Sequence, residues 1–220
     1  MKLRLKSFLP VIIFAAMSSL AFISAGGMNS ADDYFPANSM NFYESTFGEC
    51  YSRFYHENNL IVSSTISEKF KYKQTFIVQD KGLFIKETYQ SLKDGKKANK
   101  EATITYSKPL LRLPFPLNPG QEWKSESIQY DGPEKCNIKL TGKCTGMETV
   151  QTKAGKYDAY KIQTVIECSN GSKNEITEWY AKGVGLVKAK VAIQGSGNTG
   201  VIRDTYGHGT LEFNLKQIRK

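Results

Sequence analysis

From Lys69 to Val78 the chain alternates: Phe70, Tyr72, Phe76 and Val78 fall on one face, and Lys69, Lys71, Lys73 and Thr75 on the other. A period of two puts successive side chains on opposite sides of an extended backbone, so such a stretch is a half-buried strand and cannot rest as a helix. The same pattern predicts strands over Asn41–Phe47, Cys50–His56, Leu60–Ile66, Leu83–Ser91, Glu101–Ser107 and Trp123–Tyr130. It continues over Asn137–Leu140, Met147–Thr152, Tyr157–Cys168, Asn174–Ala181, Gly185–Ala192 and Leu211–Gln217. Between them lie Asp80-Lys81-Gly82, Asp94-Gly95, Ala154-Gly155, Asn170-Gly171 and the run from Gly195 to Gly200. Asn-Gly and Asp-Gly pairs adopt positive φ at little cost, which suits tight hairpins. No long amphipathic helix interrupts the series. The expected class is all-β, mainly antiparallel, with at most one or two short helical turns.

Residues 1–25 carry a different signature. Lys2, Arg4 and Lys6 precede an apolar run from Phe8 to Ile23, and small residues follow at Ser24, Ala25, Gly26 and Gly27. That is the layout of a secretory signal peptide cleaved after Ala25 or Gly26. An uncleaved anchor is the competing reading, because the run is near the lower limit for spanning a bilayer. No cysteine stands at the exit to take a lipid anchor. Cleavage would remove three basic residues and lower the formal charge from +9 to +6, leaving residues 26–220 as one β-rich domain, expected to be a monomer. The lysines are spread along the strands and read as a solvated face, with attraction to anionic lipid or glycan as the alternative. Export to the periplasm, cell envelope or exterior argues against nucleic acid as a partner.

Cys50, Cys136, Cys144 and Cys168 all lie beyond the signal. An even count in an exported chain points to two disulfides. Cys144 and Cys168 flank one end of a hairpin turning near Ala154-Gly155, so Cys144–Cys168 is the expected pair and Cys50–Cys136 follows by exclusion. No CxxC spacing supports the zinc alternative, so neither metal nor cofactor is expected.

Pro109, Pro114, Pro116 and Pro119 mark 108–120 as a crossover within the domain. A short pattern also repeats. Phe35-Pro36, Asn38, Tyr43 and Ser45 return 80 positions later as Phe115-Pro116, Asn118, Trp123 and Ser125. If the repeat is real, each copy stiffens the approach to a strand and fixes an aromatic at its start.

Three ordered landmarks lie between Leu117 and Lys190. They are Pro116-Leu117-x-x-Gly120-x-x-Trp123, then Gly146-Met147-Glu148-Thr149-Val150 with Ala154-Gly155-Lys156-Tyr157-Asp158-Ala159-Tyr160-Lys161-Ile162, and then Trp179-Tyr180-Ala181-Lys182-Gly183-Val184-Gly185-Leu186-Val187-Lys188. On these the chain resembles a family of exported bacterial proteins of unknown function, whose half-barrel fold is related to that of the lipoprotein-localisation carriers. The resemblance implies a strongly curved antiparallel sheet, a half-barrel or open barrel, with an apolar concave side. In the carriers that concavity receives acyl chains beneath covering helices, and no such helix is evident here.

Trp123, Tyr157, Tyr160, Trp179 and Tyr180 are large enough to line a hollow or to fill a core, and aromatic residues stabilise sheets in either setting. Chemistry is poorly represented. His208 sits in a Gly-His-Gly turn, and His56 ends a strand. No nucleophile elbow, phosphate loop or HExxH motif occurs. Glu175 and Glu178 are three apart and, in a strand, face opposite ways. No catalytic residue is expected. The sequence supports a non-enzymatic exported protein that binds a lipid or another apolar or amphipathic ligand in a concave sheet. The alternative is a structural or interaction module contacting envelope proteins, with no small-molecule ligand.

Overall fold

The computed structural model describes residues 28–93, 100–195 and 209–220. The expected signal segment, the Asp94-Gly95 turn and His208 lie outside them. One helical turn, α1 (Ala31–Tyr34), precedes twelve strands: β1 (Met40–Ser45), β2 (Gly48–Glu57), β3 (Leu60–Ser67), β4 (Phe70–Gln79), β5 (Gly82–Leu92) and β6 (Lys100–Pro114), then β7 (Glu122–Asp131), β8 (Glu134–Thr152), β9 (Gly155–Cys168), β10 (Lys173–Ala181), β11 (Gly185–Gln194) and β12 (Thr210–Arg219). Every pairing is antiparallel between sequence neighbours, and β1 also pairs with β12, from Met40↔Arg219 to Ser45↔Phe213. The all-β antiparallel class is therefore the observed one, and the curvature runs on to a closed barrel. Closure satisfies the ladder groups that an open sheet leaves at its edges.

Two expected boundaries differ. Asn137–Leu140 and Met147–Thr152 belong to the single strand β8. A bulge between Cys144 and Gly146 absorbs one residue, and Gly146 takes φ +145 there, so the strand re-aims without ending. The expected crossover over 108–120 is also shorter. Lys108–Pro114 extends β6, and only the residues from Phe115 to Gln121 connect it to β7. Prolines survive in this strand because β6 and β7 share just the three registered pairs Ile104↔Asp131, Thr105↔Tyr130 and Tyr106↔Gln129. Beyond them serine side chains bridge the strands. Ser127 Oγ accepts from the Lys108 amide and donates to its carbonyl, and Ser125 Oγ accepts from the Leu111 amide.

The segment from Met28 to Phe35 plugs one end of the barrel. Met28 pairs with Leu117, and Met28, Tyr34, Phe35 and Leu117 are buried in the main core with Phe76, Leu83, Leu113 and Ile162. The Tyr34 hydroxyl donates to the Pro114 carbonyl at 3.2 Å, and the His56 ring hydrogen-bonds the Phe35 carbonyl at 2.6 Å. Gly185, at φ +88, lets the β10–β11 turn pass so close to Tyr34 that a Cβ would lie 2.6 Å from its carbonyl oxygen. Both copies of the Phe-Pro repeat serve this end. One leads into β1 and the other into β7, the first and seventh of the twelve strands.

The disulfide is Cys136–Cys168, and Cys50 and Cys144 are free and buried. The expected pairs Cys144–Cys168 and Cys50–Cys136 are thus corrected by register. Cys168 lies opposite Ile138, two residues from Cys136 and on the same face, whereas Cys144 lies opposite Ile162. Six residues of strand separate Cys144 from Ile138, about 20 Å at the usual rise. The Cα atoms of Cys136 and Cys168 are 5.9 Å apart, within disulfide reach.

Candidate ligand-binding cavity

About eight strands make a barrel that its own side chains can fill, and diameter grows with strand number. Twelve strands leave room, and among the described residues that space includes two adjoining lobes. The first, 260 Å³, runs from Phe47, Phe70, Leu211 and Phe213 down to Phe35, Phe54 and Tyr180 above the plug. The second, 360 Å³, is bounded by Ile104, Tyr106, Gln129 and Ile138 and opens among Asp131, Glu134, Lys135 and Asn170. Tyr72, Gln74, Gln90, Ile166 and Asn174 border both lobes. Tyr72 gives the plainest sign of open interior. It is an inward residue of β4 enclosed by the barrel wall, yet 37% of its surface stays accessible because it borders open cavity.

Strand alternation supplies this lining. Tyr72, Gln74 and Phe76 share a face of β4, and Asn174, Ile176, Glu178 and Tyr180 share a face of β10. Glu175 accordingly points outward, where it pairs with Lys173 at 2.7 Å. Glu178 meets Arg112, an inward residue of β6, in a buried ion pair. The guanidinium donates to the Glu178 carboxylate and, at 3.0 Å, to Thr164 Oγ1. The Tyr180 hydroxyl donates to the other Glu178 oxygen at 3.3 Å. Arg112 is 5% exposed. Burial is the largest single influence and opposes its charge, but the Glu178 carboxylate, with Tyr180 and Tyr72 beside it, leaves the guanidinium pKa raised above its ordinary value. Burial also raises the pKa values of Tyr72, Tyr106 and Tyr180, so these phenols stay neutral donors. Asn174 Oδ1 is buried with no hydrogen-bond partner among the described residues.

The five aromatics singled out in the sequence do not share one wall. Tyr180 lines the first lobe. Trp123 and Tyr160 are packed in the core around Leu140, Cys144 and Ile162, Trp123 so tightly on Gly142 that any Cβ there would overlap its indole. Trp179 precedes Tyr180 in β10 and so faces outward, clustering with Val150, Ala159 and Val187, with Tyr157 packed beside them. The far end of the β8–β9 hairpin bends over this outer face toward β11 and β12, and Lys153 at its tip pairs with Glu44 of β1 at 2.5 Å. Trp179 Nε1 donates to Glu148, while Lys161 and Lys188 hold their ammonium groups 5.3 and 5.1 Å from the ring centre. These are cation–π contacts that fix a packed indole. Sequence reasoning missed Arg112 because it lay in the expected crossover. A lone charge inside Leu110-Leu111-Arg112-Leu113 was the available signal.

Residues 49–191, from the start of β2 into β11, match the DUF3108-like family along one continuous stretch. The chain belongs to the DUF3108-like family. No curated protein matches it. This DUF3108-like chain is similar to three crystallised proteins. One is a Bacteroides fragilis NCTC 9343 candidate exported protein with a YmcC-like fold, at 14% identity and TM-score 0.43 over 89% of this chain and 100% of that one. Another is a Parabacteroides distasonis ATCC 8503 candidate lipoprotein, at 10% identity and TM-score 0.42 over 88% and 99%. The third is the hypothetical lipoprotein YmcC of Escherichia coli K12, at 11% identity and TM-score 0.39 over 84% and 86%.

Proposed function

We propose that this chain is a non-enzymatic exported protein that holds a lipid or another single apolar or amphipathic molecule inside its barrel. The observation that carries the reading is the two-lobed interior, with aromatic and aliphatic walls in one lobe and a few convergent polar groups where the lobes meet. Ligand cavities have this composition, and they usually measure roughly 300–1,000 Å³, a range the adjoining lobes of 260 and 360 Å³ reach together. The basic, apolar and small-residue sequence at 1–25 supports export. Closure supports a monomer, since no open sheet edge is left to pair with another copy.

The test is binding of N-phenyl-1-naphthylamine, an uncharged fluorophore that brightens in apolar surroundings. Saturable enhancement near one equivalent is expected. Thr65→Trp, which fills part of the first lobe and gives up the Thr65 hydrogen bond to Ser52, should weaken it at least tenfold while the protein still unfolds cooperatively. Undiminished binding by that folded variant places the fluorophore on the outer surface and overturns the reading.

A further inference from the structure

We infer that the molecule held in the barrel is an uncharged single-chain amphiphile, of the monoacylglycerol type, rather than a fatty-acid anion. The inference rests on the ligand-binding reading and deepens it by charge. Among the described residues, the charged side chains that turn into the first lobe are Arg112 and Glu178, and they neutralise each other. Lys71 borders the same lobe, but its ammonium lies 5.8 Å from the Tyr89 ring, on the outer face of β4 and β5. Among the described residues, the mouth of the second lobe carries two carboxylates, Asp131 and Glu134, against one ammonium, that of Lys135. An incoming carboxylate would meet an arginine already occupied, with Glu178 beside it and an acidic mouth behind it. A third charge brought into such a site stays unpaired, and unpaired buried charge is costly.

The uncharged polar groups fit a different head. Tyr72, Gln74 and Gln90 stand at the junction of the lobes, and the Asn174 carbonyl oxygen there is buried without a partner among the described residues. A hydroxyl head donates to that oxygen and accepts from the phenol or the amides. A carboxylate can only accept. The alkyl chain then lies along Phe54, Phe70, Ile176 and Phe213 in the first lobe. Lobes of this size suit one chain better than two.

Displacement of N-phenyl-1-naphthylamine from the full chain tests this. Monolauroylglycerol and laurate, which share one alkyl chain, are titrated below their aggregation thresholds at mildly alkaline pH. Monolauroylglycerol should displace the fluorophore at least ten times more tightly than laurate. Glu178→Gln, which leaves Arg112 without its counter-charge, should then tighten laurate at least tenfold and change monolauroylglycerol less than threefold. Laurate binding wild type as tightly as monolauroylglycerol overturns the charge argument and leaves the cavity reading standing. A folded Glu178→Gln protein with unchanged laurate affinity overturns the role given to the ion pair. If the fluorophore binds and neither amphiphile displaces it, the lipid reading itself fails. The wild-type comparison decides the preference even if Glu178→Gln does not fold.

Discussion

Cys50 shows how burial alone sets the behaviour of a residue. Desolvation pushes its thiol up to about 12 against the opposing hydrogen bond from Ser45, and burial raises Cys144 as well. The thiolate is the reactive form, so both thiols are inert in the folded chain. Without reductant, iodoacetamide should label neither cysteine in native protein and both after unfolding in guanidinium, with Cys136 and Cys168 protected throughout. Mass mapping reads all four at once, and four protected cysteines in unfolded protein would restore a second disulfide. The sign of the pH effect follows from the direction of the shift. The unfolded thiol ionises at its ordinary value and the folded one only near 12, so the contribution of Cys50 to stability is intact below the ordinary value and is lost as the pH rises between the two. At this scale a spacing of three was enough to show that Glu175 and Glu178 face apart. It could not say which face is inside, because alternation is symmetric until a barrel closes around one side.

Among the elements, the β8–β9 hairpin is the one whose details depended on register. Its strands run 19 and 14 residues, and the disulfide clamps the end opposite the turn. Closing a segment with sequence separation 32 is worth about 3–4 kcal/mol through the unfolded state. The double substitution Cys136→Ser with Cys168→Ser should therefore lower unfolding free energy by that order in denaturant titration, whereas Cys144→Ser should not mimic the loss of a cross-link by changing the loop-closure term. Equal m-values and an unchanged midpoint in the double variant would count against the bridge. Strand existence was legible here from alternation and from Ala154-Gly155. The bulge at Cys144 to Gly146 was not, because its extra residue makes one strand look like two. The same holds for β6, where prolines that signal a loop are accommodated by a side-chain seam.

On the scale of the molecule, the consequence of closure is a ring without edges but with one thin seam. Native-state hydrogen exchange should find β1 and β12 amides protected like those of β10 and β11, and the Lys108 and Leu111 amides of β6, held by serine side chains where ladder bonds to β7 run out, exchanging faster than the β8–β9 ladder. Rapid exchange along the β1–β12 ladder instead would mean an open sheet. Phe-Pro lead-ins stand before β1 and β7, the first strands of the runs on either side of this seam. Local pattern was enough for the antiparallel all-β class, the positions of most strands and turns, and the signal-like start, because side-chain period and turn chemistry act over a few residues. The closure, the Cys136–Cys168 pairing, the split of Trp179 from Tyr180 and the meeting of Arg112 with Glu178 across 66 residues came only with the assembled barrel. Those depend on register summed around twelve strands, where a shift of a single residue turns every side chain to the other face.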